Sequence, residues 1–171
     1  MRVRRATASD IAGMMRLERS AQSAAHWPPQ LYEELFSADE AFNPVRLAWV
    51  VESEDSRDPA SDSLVSPDEA QDPTFPILGF LIARRIDFEW ELENIVVATD
   101  VRRQRVGTRL LSAFLAYVRA ARGNHIFLEV RESNFAARAL YEKFSFRRAA
   151  VRKNYYSDPA EDAFLYDLRI D

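Results

Sequence analysis

Residues 94–111 read NIVVATDVRRQRVGTRLL, and the change of pattern part-way through decides the fold. NIVV is a run of branched apolar residues of strand type. Beyond it, VGTRLLSAFLAYVRAAR repeats its large apolar residues at helical spacing, as Leu110, Leu111, Phe114, Tyr117 and Val118. Between strand and helix lie Arg102, Arg103, Gln104 and Arg105, followed by Val106, Gly107, Thr108 and Arg109. A helix start offers unpaired N–H groups and about half a positive charge, so arginines and a glycine placed there suit a phosphate-bearing ligand. An ordinary helix terminus with solvated arginines is the competing reading of the stretch alone. A nucleotide P-loop is excluded, because GxxxxGK[ST] lacks its lysine here and GxGxxG is absent too.

The alternation continues outward on both sides. RVRRA reads as a strand, and TASDIAGMMRLERSA as a helix opened by a capping box from Thr7 to Asp10, with Ile11, Met14 and Met15 at helical spacing. HWPPQLYEELF predicts a second helix with its prolines in the first turn, where a missing N–H costs nothing. RLAWVVE, FPILGFLIARRIDF, WELENIVV and HIFLEV are strands, NFAARALYEKF is a helix, and FRRAAVRKNYY and DAFLYDLRI close the chain as a strand pair. Strands alternating with helices, and adjacent strands at both ends, predict one α/β domain over 1–171 on a mixed, twisted central sheet flanked by helices. Residues 53–76 hold four prolines, seven acids and one base, which predicts a long, flexible acidic loop.

The chain has 171 residues, no cysteine and a net charge of -4. Disulfides, thiolate metal sites and a cysteine nucleophile are therefore excluded. The charge balance offers no footprint for nucleic acid, and no window approaches the roughly 20 apolar residues of a membrane span, so a cytoplasmic protein is expected. His26 and His125 stand without a carboxylate cluster at ligand spacing, so no metal is expected.

NIVVATDVRRQRVGTRLL, IFLEVRESNFAARALYEKFSF and RKNYY together resemble the acetyl-CoA-binding and catalytic motifs of the GNAT superfamily of N-acetyltransferases. More narrowly, they are similar to its bacterial members that acetylate the N-terminal alanine of a ribosomal protein. The resemblance runs from Trp90 to Tyr156, is weaker through the first helices and is absent across 53–76. It implies acetyl-CoA as cosubstrate, a protein or peptide N-terminus as acceptor, and a monomer or weak dimer. By the same resemblance, Ile95, Val96 and Val97 would lend main-chain groups to the pantetheine arm. The turn from Arg103 through Gln104, Arg105, Val106 and Gly107 to Thr108 would hold the pyrophosphate. Glu129 matches the general base, and Tyr141 matches the general acid beside CoA. Asn134 matches a CoA contact, although an asparagine before a helix is equally an N-cap. Tyr155 and Tyr156 match a pair that closes over the acceptor N-terminus, or form a hairpin aromatic pair. Trp27 would wall the acceptor groove, or simply pack.

Two positions depart from the pattern. Arg105 stands where the superfamily has its first loop glycine, and is accommodated if φ is negative with the side chain outward. Ser145 stands where a glycine ends the last helix, and bears on the turn. Glu89, Glu91 and Glu93 alternate onto one strand face, either solvated or facing a basic residue near the acceptor amine. The chemistry suits an α-amine: with a reference pKa near 8, roughly a tenth is neutral at pH 7, against less than about one part in a thousand for lysine. The alternatives are a small-amine or antibiotic acetyltransferase on the same fold, a CoA-binding module without turnover, and, more distantly, a nucleotide-binding domain.

Overall fold

A computed structural model describes residues 1–21, 27–36, 46–53 and 77–170. His26 and nearly all of the acidic 53–76 stretch lie outside them. In chain order the elements are β1 (Arg2–Arg5), α1 (Ile11–Ser20), α2 (Pro29–Glu34), β2 (Arg46–Glu52), β3 (Ile77–Ile86), β4 (Glu89–Val97), α3 (Val106–Ala120), β5 (His125–Arg131), α4 (Phe135–Lys143), β6 (Arg147–Ser157) and β7 (Ala160–Arg169). The strands form one seven-stranded sheet in the order β1-β2-β3-β4-β5-β7-β6. Every pairing is antiparallel except β4 with β5, which α3 connects. This is the mixed α/β sheet that the alternation of patterns predicts.

The helices cover both faces. On one, α3 lays Leu110, Leu111, Phe114 and Val118 against Trp49, Leu81, Trp90, Leu92, Ile126 and Leu128, all buried. Trp90 and Phe114 meet edge to face with centroids 5.9 Å apart. On the other, Met14 of α1 and Tyr32 of α2 pack with Val50, Phe80 and Ile82. Burying each such side chain stabilises the fold by about 1.5–3 kcal/mol. Tyr117 lies at the margin of the stripe, 40% exposed, with its ring edge-on to Trp49 and Trp90 at 5.5 and 5.7 Å and the Arg5 guanidinium over it at 5.5 Å.

The capping box at the chain start is also an ion-pair node. Asp10 accepts from the Thr7 N–H at 2.8 Å and from both terminal nitrogens of Arg4 at 2.7 and 2.8 Å, while Arg4 Nε donates to Glu52 at 2.7 Å. Burial alone would raise the Asp10 pKa, but the hydrogen bonds from Arg4 and Thr7 and the Arg4 charge together outweigh it and hold the carboxyl below its usual value. Strand, helix start and β2 are thereby clamped together.

The feature that positions the site is where β4 and β5 stop pairing. Their ladder covers only Glu89–Leu92 against His125–Leu128. On the β3 side, Ala83 pairs with Leu92 and Ile82 with Asn94, leaving Glu93 as an extra residue. Such a bulge bends its strand. From Asn94 onward β4 keeps β3 as its neighbour and has no β5 partner, while β5 continues along β7 to Arg131.

Candidate active site

The parted strands open a cavity of about 750 Å³. One wall is Ile95, Val96 and Val97 of β4; the mouth is Arg102, Arg103 and Arg105; the start of α3 contributes Val106, Gly107 and Thr108. Asn134 and the α4 residues Ala136, Ala137, Ala139, Leu140 and Lys143 form the far wall, and Ala21 lies at the margin. Short side chains keep this slot open. A Cβ on Gly107 would sit 3.1 Å from Leu140 Cδ2, so glycine sets how closely α3 approaches α4. Gly79 of β3 is tighter: a Cβ there would meet Val106 Cγ1 at 2.8 Å and the Val96 carbonyl oxygen at 2.9 Å. Only a bare backbone fits beneath the first residue of α3.

The turn into α3 corrects one expectation. Arg105 has φ 64 and Arg103 has φ 64, both left-handed, whereas a negative φ was the condition set for Arg105. The chain leaves Arg102 extended and must swing onto the helix axis within a few residues, so the left-handed geometry persists where glycine is replaced. Holding an arginine so costs roughly 1–2 kcal/mol. The Arg105 carbonyl then accepts from Arg109 N–H at 2.9 Å, opening the helix ladder. Ahead of it, the N–H groups of the first turn lie beside the arginine mouth.

Asn134 acts as the N-cap of α4, its Oδ1 accepting from Ala137 N–H at 3.1 Å, and it also lines the cavity. Gln104 and Tyr141 do not line it. The Gln104 amide turns back to the Asp100 carbonyl at 3.4 Å. Tyr141 is buried, with ring centroids 5.8 Å from Phe146 and 6.3 Å from Tyr166. Its position follows from how α4 ends. Ser145, at φ 67, donates its N–H to Glu142, and Phe146 N–H donates to the Tyr141 carbonyl at 3.1 Å. That pair of bonds is a Schellman cap, and the Tyr141–Phe146 contact is its customary apolar partner. Burial chiefly, then the neighbouring Tyr156, pushes the Tyr141 phenol well above its ordinary pKa, so its O–H stays in place as a donor.

Glu129 sits on β5 past the end of the β4 ladder, between the buried Leu128 and Val130 and on the opposite face from them. It is not free. Arg152 of β6 donates from Nη1 to Glu129 Oε1 at 2.6 Å, and the same guanidinium lies 4.0 Å from the Tyr155 ring centroid. Arg131 stacks on Tyr156 at 4.0 Å, and the two tyrosine rings meet at 5.1 Å. Hydrogen bonding to Glu129 is the main cause that raises the Tyr155 pKa, while burial and then the Glu129 charge raise that of Tyr156. Glu129, Tyr155, Tyr156 and Tyr141 therefore form one electrostatically linked group.

Arg152 was missed in the sequence, and the missing signal was Asn154. The β6–β7 register slips between Arg152 and Tyr156, and Asn154 takes φ 51, with its N–H donating to Asp162 Oδ1 at 2.9 Å. In a regular strand, residues three apart face opposite ways. The slip brings Arg152 and Tyr155 to the same side, over Glu129. Asparagine is among the few residues that enter the left-handed region readily.

Trp27 is half-buried, 5.9 Å from Tyr32 and 5.8 Å from the Arg46 guanidinium. Its main-chain N–H donates to Glu18 at 3.0 Å, and Asn94 Nδ2 donates to the other Glu18 oxygen at 2.7 Å. A buried carboxylate on α1, also unforeseen, thus ties Trp27 to the strand just past the bulge. The three alternating glutamates of β4 share a face, on which Glu89 is exposed while Glu91 and Glu93 are occupied by arginines of this chain. Glu91 pairs with Arg84, Glu93 with Arg46 at 2.9 Å, and Glu89 contacts His125 at 3.2 Å. Their partners come from neighbouring strands, which spacing within one strand cannot reveal. Among the described residues no group of three or more His, Cys, Asp or Glu side chains is placed to hold a metal ion, and no helix is long and apolar enough to cross a membrane.

The pattern of the acetyltransferase (GNAT) family matches residues 15–146, and the chain belongs to that family. It is 40% identical over 94 residues to the ribosomal protein bS18-alanine N-acetyltransferase of Escherichia coli K12, a match covering 54% of this chain and 64% of that protein. It is 42% identical over 105 residues to an N-alpha-acetyltransferase of Saccharolobus solfataricus, covering 52% of this chain and 60% of that one. The chain thus spans under two thirds of the length of these curated relatives. The crystal structure of the ribosomal-protein-S18-alanine N-acetyltransferase from Escherichia coli superposes with a TM-score of 0.75 at 25% identity, covering 99% of this chain and 94% of that one. Arabidopsis thaliana NAA60 in complex with a bisubstrate analogue, at TM-score 0.77 and 15% identity, shares the fold.

Proposed function

We propose that this protein transfers an acetyl group from acetyl-CoA to the α-amine of a protein N-terminus in the cytoplasm, with the N-terminal alanine of a ribosomal protein as the target. The observation that carries the reading is one cavity joining the stretch of β4 without a β5 partner, the arginine mouth at α3 and the alanine wall of α4. Its donor set suits CoA. Arg102, Arg103, Arg105 and Lys143, with the first-turn N–H groups of the 15-residue α3, would hold the phosphates. Ile95, Val96 and Val97 present main-chain groups without a β5 partner, and would hold the pantetheine amides. Bound there, acetyl-CoA supplies the acetyl group as an activated thioester.

The chain's own residues do the rest. Trp27 and the Tyr155–Tyr156 pair would flank the acceptor N-terminus. Glu129 would take a proton from the acceptor amine, directly or through water. Tyr141 would donate its O–H hydrogen toward the departing sulfur, by position and not by acidity, since burial makes it a weaker acid than a free phenol. Attack would be direct: no acyl-enzyme is needed, and the chain has no cysteine to form one. Alignment of amine and thioester is the larger contribution.

The test incubates the protein and acetyl-CoA with peptides beginning Ala, Ser, Gly and Met, and with an N-blocked peptide carrying lysine, and follows acetylation by mass. The α-amine peptides should be acetylated and the blocked one should not. Glu129→Gln and Tyr141→Phe should each lose about 10²- to 10⁴-fold in turnover while CoA still raises the melting temperature. Full turnover in both variants overturns the assigned roles.

A further inference from the structure

The ion pair on Glu129 says something about which amines this site accepts. A guanidinium carries five N–H donors in a planar fork, and Arg152 uses Nη1 on Glu129 at 2.6 Å. Its side chain is 52% exposed against 24% for Glu129, so donors of the fork beyond that ion pair remain accessible to a ligand beside the carboxylate. The fork is also fixed in orientation. The Tyr155 ring lies against it at 4.0 Å, and the strand irregularity that brings both residues over Glu129 is held by Asp162, which accepts from the N–H of Asn154 and from Lys153 Nζ. The result is a carboxylate oxygen and a set of cationic N–H donors side by side, held rigidly.

A peptide N-terminus presents the complementary pair. Its amine donates N–H bonds, and the carbonyl oxygen of the same residue, three bonds further along, accepts them. A lysine ε-amine or a simple alkylamine has the first group without the second. Building on the proposed function, we infer that Arg152 is a specificity-determining residue: with the acceptor amine at Glu129, the Arg152 guanidinium donates to the carbonyl of the acceptor's first residue. The site thereby reads an α-amino acyl unit, whatever the side chain. Arg152 touches the acceptor, not the cosubstrate, so its removal leaves CoA binding unchanged.

The experiment compares wild type with Arg152→Gln and Arg152→Lys on two acceptors. One is a peptide beginning with alanine. The other is the same peptide with an (E)-alkene in place of its first peptide bond, which keeps the shape and lacks the carbonyl. A charge-assisted hydrogen bond lost from the first acceptor should lower kcat/KM by about 10- to 100-fold in Arg152→Gln. On the alkene peptide the loss should be at least about 5-fold smaller, because that bond was never made and only the loss of the Glu129 ion pair, common to both acceptors, remains. Arg152→Lys keeps one donor and should fall between. CoA-dependent thermal stabilisation should be the same in all three proteins and reports that each is folded. Equal losses on both acceptors, or no loss on either, overturn the inference while leaving the proposed function standing. A wild-type protein that acetylates small amines and no peptide α-amine removes the proposed function, and this inference with it.

Discussion

The left-handed arginine at the mouth of α3 allows strain and charge to be separated. Arg105 has φ 64 and ψ 16, and its side chain is exposed beside the cavity. Two replacements remove the same charge but differ in backbone preference. Arg105→Ala keeps a Cβ in a conformation that costs an L-residue about 1–2 kcal/mol. Arg105→Gly relieves that strain, and loses about 0.5–1 kcal/mol through the greater freedom of glycine in the unfolded chain. The difference leaves the glycine variant more stable than the alanine variant by about 0.5–1 kcal/mol. For a chain of this length, that is a melting temperature higher by about 1–4 °C. Both variants should bind CoA about 3- to 10-fold more weakly than the parent, since both lose one cation near the phosphates. Thermal melts of the three proteins, with and without CoA over a concentration series, measure both quantities together. An alanine variant as stable as the glycine variant would refute the strain, and a CoA affinity that differs between the two would refute the claim that only the charge acts on the ligand.

Further outcomes follow from the same structure. Gly79→Ala forces a Cβ to within 2.9 Å of the Val96 carbonyl, which cannot rotate away, so unfolding by urea should show a loss of about 1–3 kcal/mol with weaker CoA binding as α3 is pushed outward. Asn134→Ala removes the cap of α4 and should cost about 1 kcal/mol by the same measurement. Asp10→Asn breaks a buried pair and should cost about 3 kcal/mol at pH 7, because Arg4 keeps Glu52. Since the Asp10 pKa is lower folded than unfolded, the wild-type advantage is complete above the unfolded value of 3.8 and disappears as pH falls through the folded value. An advantage that persists unchanged into strong acid would show that the ion pair is not its source.

What could be read in the sequence was whatever depends on short-range pattern. The alternation of branched runs and helical stripes specifies each strand and helix, and the arginine-rich turn at 102–109 lies where the cavity opens. Ser145 was marked as a helix end by the resemblance, which has glycine there, and its left-handed φ is what a Schellman cap requires. What escaped depends on contacts between elements remote in sequence. Arg84 and Arg46 neutralise Glu91 and Glu93 from other strands, Glu18 reaches Trp27 and Asn94 from α1, and Arg152 finds Glu129 across β7. The negative φ required of Arg105 failed for a related reason. Local sterics favour it, but the geometry of entering α3 overrides them.

The short parallel seam between Glu89–Leu92 and His125–Leu128 has a mechanical consequence. It divides the backbone ladder into two leaves, β1 to β4 and β5 to β7, bound otherwise by the shared packing under α3. A molecule lodged in the wedge would join β4 to α4, the helix that follows β5, and so tie the two leaves together where the ladder between them is missing. Its arrival should therefore slow amide exchange along β4 and β5 in concert, stiffening the sheet where the chain alone leaves it weakest.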